Sequence, residues 1–151
     1  MSEVLDKVLD TDNNDALLSS ELKSHKNIHV NHSYKLLELS EGYAKTSIDS
    51  QKSETVDGED TLYDGSIFSA ANFCAMAAVN EPHTFLISAN IDFFNQVNKK
   101  DEEVIFEAHA SSNLSGKKQI DVQGKVNDIT IFRGEFVALK LDNNSIIKST
   151  K

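Results

Sequence analysis

The stretch from Asp64 to Val79, DGSIFSAANFCAMAAV, is apolar on nearly every side over the length of a helix. Only a few short polar side chains interrupt it, among them Ser69 and Asn72. A helix that lacks a polar face has to be covered on all sides by other elements. The long segments that follow alternate like strands, so the sequence predicts one sheet wrapped around one buried helix.

The composition fits one ordinary globular domain, with 151 residues, 39% apolar and 26% charged. The apolar stretch would span roughly 22 Å as a helix of about 15 residues, which is too short to cross a bilayer core. We therefore expect no membrane segment. The first residues, MSEVLD, are acidic where a signal peptide would carry Lys or Arg, so the expected location is cytoplasmic.

Charge and cysteine content exclude several classes of function. The net charge of −9 disfavours contact with nucleic-acid phosphates, which depends on Lys and Arg. A single cysteine, Cys74, excludes an internal disulfide and a multi-cysteine zinc site. Because Cys74 lies within the apolar stretch, it is predicted to be a small core residue rather than a nucleophile.

The N-terminal segment, residues 1–28, is predicted to form a helical arm in front of a main domain that covers residues 29–151. Its apolar residues follow helical spacing on both sides of a polar break at residues 10–15. Polar side chains of this kind compete for backbone hydrogen bonds and favour caps and turns. Two short helices separated by a turn are the expected outcome.

The polar break also resembles a calcium-binding loop. Asp10, Asp12, Asn14 and Glu21 occupy the first, third, fifth and twelfth positions of the EF-hand pattern. Asp15 stands at the sixth position, where the pattern has Gly, and no second loop follows to pair with it. A capped helix break is the alternative. The histidines that follow match no compact metal site, and we expect no metal.

Strand-like alternation dominates the rest of the chain. Residues 29–50 are predicted to form one long strand, bent near Gly42, and a polar loop leads from it to the central helix. Strands are then predicted over 84–97, 102–114, 117–127 and 129–141. In the first of these, one face is predicted to carry Phe85, Ile87, Ala89, Ile91 and Phe93. Short turns imply antiparallel neighbours, so the fold class is α+β, with about five strands wrapped around a long helix in the hotdog arrangement.

From Tyr34 to Leu141 the chain resembles the hotdog superfamily of acyl-CoA thioesterases and acyl-CoA-binding proteins. The residues that carry this resemblance are the helix entry DGSIFSAAN at 64–72, the strand SANIDF at 88–93 and FRGEF at 132–136. Within the superfamily, the sequence is most similar to the ligand-binding domain of the fatty-acid-synthesis repressor FapR. The DNA-binding segment of that repressor has no counterpart here, because the residues before Tyr34 are few and not basic.

The resemblance implies a homodimer, or a dimer of dimers, that binds an acyl-CoA or acyl-carrier thioester in fatty acid metabolism. No cofactor besides the coenzyme A ligand is expected. In this superfamily the thioester lies at the dimer interface near the start of the central helix. Unpaired N–H groups and the helix dipole can polarise a carbonyl oxygen there. Gly65 would permit close backbone approach and Ser66 would cap the first turn. The predicted ligand-binding residues are Gly65, Ser66, Phe68, Ser69, Asn72, Phe73, Met76, Asn90 and Phe93.

Catalytic members of the superfamily usually carry a carboxylate near or on this helix, whereas this chain has Asn72 and Phe73 about there. We therefore predict an acyl-thioester-binding protein with a regulatory or sensing role and little or no turnover. The alternative is an active thioesterase that uses Asp64 together with the backbone donors of Gly65 and Ser66. An interaction module with a vestigial pocket is a third class. Asp92, aligned with an acid-binding Arg of the repressor, disfavours a malonyl-type ligand.

Overall fold

The computed structural model describes residues 15–32, 34–58, 60–101, 103–112 and 116–141. Residues 15–21 are helical (α1), and they are followed by α2 (Lys26–Asn31), a short 3-10 turn (Ser50–Lys52) and the long helix α3 (Asp64–Val79). The strands are β1 (Tyr34–Ser40), β2 (Tyr43–Asp49), β3 (Thr84–Phe93), β4 (Glu103–Ser112), β5 (Lys117–Val126) and β6 (Ile129–Lys140).

The strands form a single antiparallel sheet in the order β1-β2-β4-β5-β6-β3. The helix α3 packs on one face of this sheet, and the residues from Ala70 to Ala78 are almost all buried. Phe106, Phe132 and Phe136 project from the strands into the same core. This arrangement confirms the predicted α+β hotdog architecture.

Small side chains on α3 allow the sheet to approach the helix closely. Ala71, Ala75 and Ala77 are completely buried, and so is Cys74, whose Sγ lies 3.5 Å from the carbonyl oxygen of Ala44 on β2. Burial raises the pKa of the Cys74 thiol to about 12, so the thiol stays protonated at neutral pH. The prediction that Cys74 is a core residue is confirmed.

The sheet has six strands instead of about five, because the predicted first strand is a hairpin. Gly42 was predicted to bend a continuous strand, but it lies in the turn between β1 and β2, with φ 73°. Its carbonyl oxygen accepts a hydrogen bond from the Ala110 N–H at 2.8 Å. The turn is so short that the apolar alternation continues through it. The sequence pattern therefore predicts one continuous strand.

The strand β3 contains a bulge that changes which residues face the helix. The pairing with β6 shifts between Leu86 and Ser88, so Ile87 is the extra residue. Before the bulge Thr84 and Leu86 lie on the core face, and after it Ala89, Ile91 and Phe93 share a face with buried residues of β6. The prediction that Phe85 and Ile87 share the face of Phe93 is therefore wrong.

The described part of the N-terminal segment packs against the sheet and α3. Leu22 is buried in the main core, and the Leu36 N–H on β1 donates a 2.7 Å hydrogen bond to the Asp15 carboxylate. The His29 ring stacks on Phe73 at 5.7 Å. The separate arm of residues 1–28 stays a prediction, since residues 1–14 lie outside the described ranges.

Three of the four residues assigned to a calcium loop, Asp10, Asp12 and Asn14, also lie outside the described ranges. The fourth, Glu21, ends α1. Over the described residues, no group of three or more His, Cys, Asp or Glu side chains is placed to hold a metal ion. Of the helices in those ranges, none is long and apolar enough to cross a membrane.

Candidate functional site

The start of α3 is organised by the backbone of Tyr63. Its carbonyl oxygen accepts hydrogen bonds from the Ser66 N–H at 3.0 Å and the Ile67 N–H at 3.4 Å, and its own N–H donates to the Glu54 carbonyl at 2.9 Å. Tyr63 is the N-cap residue of α3, and its side chain makes no capping hydrogen bond with the described residues. The expectation that Ser66 caps this helix is therefore wrong, because Ser66 already lies inside the first turn.

A cavity of about 320 Å³ opens beside this helix start. We call it the polar pocket, because most of its lining side chains carry a hydroxyl, a charge or an imidazole. Three of the predicted site residues on α3, Gly65, Ser66 and Ser69, line it. The other lining residues come from the C-cap of α2, from β1 and β2, and from the 3-10 turn and loop before α3: His32, Tyr34, Ile48, Lys52, Ser53, Glu54 and Tyr63.

Tyr34 forms a wall of the polar pocket. Burial raises the pKa of its phenol, and a side-chain hydrogen bond with Ser69 opposes that rise. The phenol is therefore neutral at physiological pH and keeps a proton to donate. Its ring is held in place by stacking on His32, at 5.1 Å, and by contact with Phe73, at 5.3 Å. A fixed hydroxyl thus faces the pocket close to the helix start.

A second cavity, of about 460 Å³, lies on another side of the same helix start. We call it the apolar pocket. Four of its lining residues are large hydrophobic side chains left partly exposed, namely Val56 at 39%, Tyr63 at 49%, Phe93 at 41% and Phe94 at 53%. Its remaining lining residues are Thr61, Leu62, Asp64, Ile67, Asn95, Gln96 and Val97.

Tyr63 lines both pockets, and its ring lies directly against Gly65. A Cβ atom added to Gly65 would collide with carbon atoms of that ring. Gly65 was predicted to let a ligand approach the backbone closely. In the structure, the group that approaches it closely is the ring of Tyr63.

The predicted site residues are not all in one place. Gly65, Ser66 and Ser69 meet in the polar pocket, whereas Asp64 and Phe93 line the apolar pocket. The others are distributed around these two: Phe68 is half-buried and stacks on Phe136 at 5.7 Å, Phe73 and Met76 are buried in the core, and Asn90 is exposed opposite Glu135 of β6.

Asn72 is half-buried, and its Oδ1 atom is buried with no hydrogen-bond partner among the described residues. It lies one helical turn after Ser69 on α3. A buried acceptor without a partner is costly. Asn72, a predicted ligand-binding residue, therefore carries one group that a further donor would satisfy.

The carboxylates nearest the helix start lie in different pockets. Asp64, the predicted catalytic acid, is exposed and lines the apolar pocket, while Glu54 lines the polar pocket with Gly65 and Ser66. Asp92 lies opposite Arg133 in the β3-β6 ladder, on the face away from α3. Asp92 is therefore not among the residues lining either pocket.

Several lining residues were not predicted from the sequence. Tyr63 was not among the predicted site residues, although its position directly before the helix marks it as part of the helix start. His32, Lys52, Ser53 and Glu54 belong to turns and loops, and nothing in a single sequence indicates which loop side chains meet at a helix start.

Comparison with known proteins supports the fold. No family model matches the chain. A stretch of 121 residues is 33% identical to methylthioribose-1-phosphate isomerase of Aquifex aeolicus (strain VF5), covering 80% of this chain and 26% of the isomerase. The chain thus spans about a quarter of the length of that relative.

Three solved structures share the architecture. Cj0977, a sigma28-regulated virulence protein of Campylobacter jejuni, has a TM-score of 0.80 and 23% identity, covering 87% of this chain and 92% of its own. PH1136 of Pyrococcus horikoshii has a TM-score of 0.72 and 25% identity, covering 81% and 93%. PaaI of the E. coli phenylacetic acid degradation operon has a TM-score of 0.68 and 15% identity, covering 83% and 96%. These matches support the hotdog fold, while the narrower likeness to FapR stays a prediction.

Proposed function

We propose that the protein binds an acyl thioester of coenzyme A or of an acyl carrier, with the thioester carbonyl in the polar pocket. The observation that carries this proposal is the meeting of the α3 start, through Gly65 and Ser66, with the neutral phenol of Tyr34 and with Ser69. The first backbone N–H groups of a helix point outward along its axis and attract partial negative charge. The Ser66 N–H already donates to the Tyr63 carbonyl, so a thioester oxygen would meet the Gly65 N–H and the Tyr34 phenol in this pocket.

The positive charge of Lys52 suits the phosphate groups of such a ligand. Lys52 is exposed at its edge, and His32 is exposed beside Tyr34. A positive side chain near the opening attracts phosphate groups of a nucleotide. The proposed role is binding with little or no turnover, in regulation or sensing, as the resemblance to FapR implies.

A homodimer is part of this proposal. The strand β3 is an edge strand of the sheet, and Phe85 and Ile87 on it are 42% and 39% exposed. A long edge strand with exposed apolar side chains is a template for pairing with another chain. Pairing of two copies through β3 would cover these residues, and two such dimers could associate further.

The binding proposal is tested by calorimetry with acetyl-CoA, hexanoyl-CoA and free coenzyme A. Binding should also raise the melting temperature, because a ligand that binds only the folded state stabilises it by about 2.7 kcal/mol at one hundred times Kd. Lys52→Glu should weaken binding severalfold by repelling the phosphates. Lys140→Glu makes the same charge change at an exposed position outside both pockets and should have no effect. Absence of binding and of any melting shift would favour an interaction module instead.

Hydrolysis of the thioester is the second candidate, favoured by the position of the Glu54 carboxylate in the polar pocket. A carboxylate there would accept a proton from water as the water oxygen attacks the carbonyl carbon and the thiolate leaves. The sequence pointed to Asp64 for this role. Release of free coenzyme A should be measured with Asp64→Asn and Glu54→Gln. Loss of turnover in only one variant would identify the base, and no turnover in the unaltered protein would leave the binding role.

A further inference from the structure

We propose that the apolar pocket holds the acyl chain of the ligand and that Tyr63 separates this chain from the thioester carbonyl. This inference rests on the proposed thioester site in the polar pocket. It assigns the two cavities to two parts of one ligand, with the polar pocket for the carbonyl and the apolar pocket for the chain. It also names the class of acyl group, a neutral alkyl chain.

The first observation is the exposure of large hydrophobic side chains around one cavity. Val56, Phe93 and Phe94 come from the loop before α3 and from the end of β3, which are distant in sequence. Each is more than one third exposed. Single exposed hydrophobic residues are ordinary on protein surfaces, but a group around a cavity marks a binding site.

The second observation is that Tyr63 is shared by the two pockets. Its ring lies against Gly65, which is followed by Ser66 of the polar pocket and preceded by Asp64 of the apolar pocket. The Tyr63 backbone is held by Glu54, Ser66 and Ile67, whereas the side chain is 49% exposed. A ligand that bridges the pockets must therefore pass along this ring.

The charge of Asp64 selects between possible acyl groups. Its exposed carboxylate lies on the apolar pocket, and like charges repel at short range. An acyl group that ends in a carboxylate is disfavoured there, while an alkyl chain is not. The occupant inferred is therefore an uncharged acyl chain rather than a dicarboxylic one.

The test is calorimetry with acetyl-, butyryl-, hexanoyl- and octanoyl-CoA on the whole chain. Each added methylene that enters an apolar pocket should tighten binding roughly fourfold until the pocket is filled. Val56→Trp should fill the pocket and reduce this dependence to less than twofold across the series. Val30→Trp places the same side chain at a 75% exposed position on α2, outside both pockets, and should preserve the dependence.

Tyr63→Ala tests the separating role. Removal of the ring should widen the passage between the pockets, so isobutyryl-CoA should gain affinity severalfold relative to butyryl-CoA. Tyr63→Phe keeps the ring and should leave this ratio unchanged. An equal ratio in all three proteins would overturn the role of Tyr63.

The outcomes distinguish a failure of the acyl-chain pocket from a failure of the proposed thioester site. If no acyl-CoA binds, the thioester site itself fails. If acetyl-CoA binds and longer chains bind no more tightly, only the acyl-chain pocket fails. If Val56→Trp changes the sedimentation mass of the protein and leaves the chain-length series intact, the pocket is covered by a second copy of the chain and the inference is overturned.

Discussion

The surrounding chain makes different contacts with the two ends of α3. At the carboxyl end, Asn80 adopts a left-handed conformation and its N–H donates to the Met76 carbonyl at 2.8 Å. The Asn80 side chain accepts from the Lys23 N–H at 2.7 Å and donates to the Glu21 carbonyl at 3.1 Å. At the amino end, Tyr63 supplies its backbone oxygen and lies between two open cavities.

This difference indicates where the helix contributes to stability and where it is available for binding. The amide side chain of Asn80 joins the carboxyl end to the N-terminal segment, because it bonds backbone groups of both Glu21 and Lys23. At the amino end the Ser66 and Ile67 N–H groups share the Tyr63 carbonyl oxygen, and the proposed ligand would use the Gly65 N–H. Substitutions at the carboxyl end should therefore lower the free energy of unfolding most, whereas those at the amino end should change it less and should affect ligand binding.

The largest loss of unfolding free energy is expected from Asn80→Ala. It removes two side-chain hydrogen bonds and places Ala in a left-handed conformation, which together should cost about 3 kcal/mol of unfolding free energy. Asn80→Gly loses the same bonds and tolerates the backbone conformation, so its cost should be smaller. Urea unfolding measures both. An equal cost for the two variants would show that backbone conformation contributes little.

A smaller effect is expected at the amino end from Gly65→Ala. Alanine favours the helix by up to about 1 kcal/mol over glycine, but its Cβ would collide with the Tyr63 ring. The stabilisation should therefore be absent in the natural chain and appear in a Tyr63→Ala background. A double-mutant cycle followed by urea unfolding measures this coupling. Additive free energies would mean that the ring does not rest on Gly65 in solution.

The smallest effect is expected from Asp64→Asn on ligand selectivity. Removal of an exposed charge should improve the binding of succinyl-CoA relative to butyryl-CoA by about two- to fivefold. Asp92→Asn removes a carboxylate on the other face of the sheet and should not change this ratio. Calorimetry at low and high salt measures it, and the gain should shrink at high salt. An improvement from Asp92→Asn alone would place the acyl group elsewhere.

The central helix and most of the strands followed directly from the sequence. The stretch 64–79 is helical over its whole length, because its apolar residues can be buried only by packing against other elements. β4, β5 and β6 lie within two residues of their predicted bounds, since polar turns interrupt the alternation there. The hairpin at Gly42 and the bulge at Ile87 were missed, because both keep an alternating pattern while changing the path of the backbone.

The candidate site was predicted in part. Gly65, Ser66 and Ser69 meet as expected, because their positions follow from the helix itself. Tyr34 and Glu54 reach the same pocket from a strand and a loop, and such meetings depend on tertiary packing. Asp64 and Ser66 are only two residues apart but line different pockets, since the ring of Tyr63 lies between them.

The bulge in β3 also determines where this strand can lose a residue. Without Ile87, Leu86 would be followed by Ser88, and strict alternation would leave Leu86, Ala89, Ile91 and Phe93 all on the core face. Removal of Asn90 instead would turn every later side chain to the opposite face. A single-residue deletion can therefore be absorbed at Ile87, so length variation within this strand is expected there.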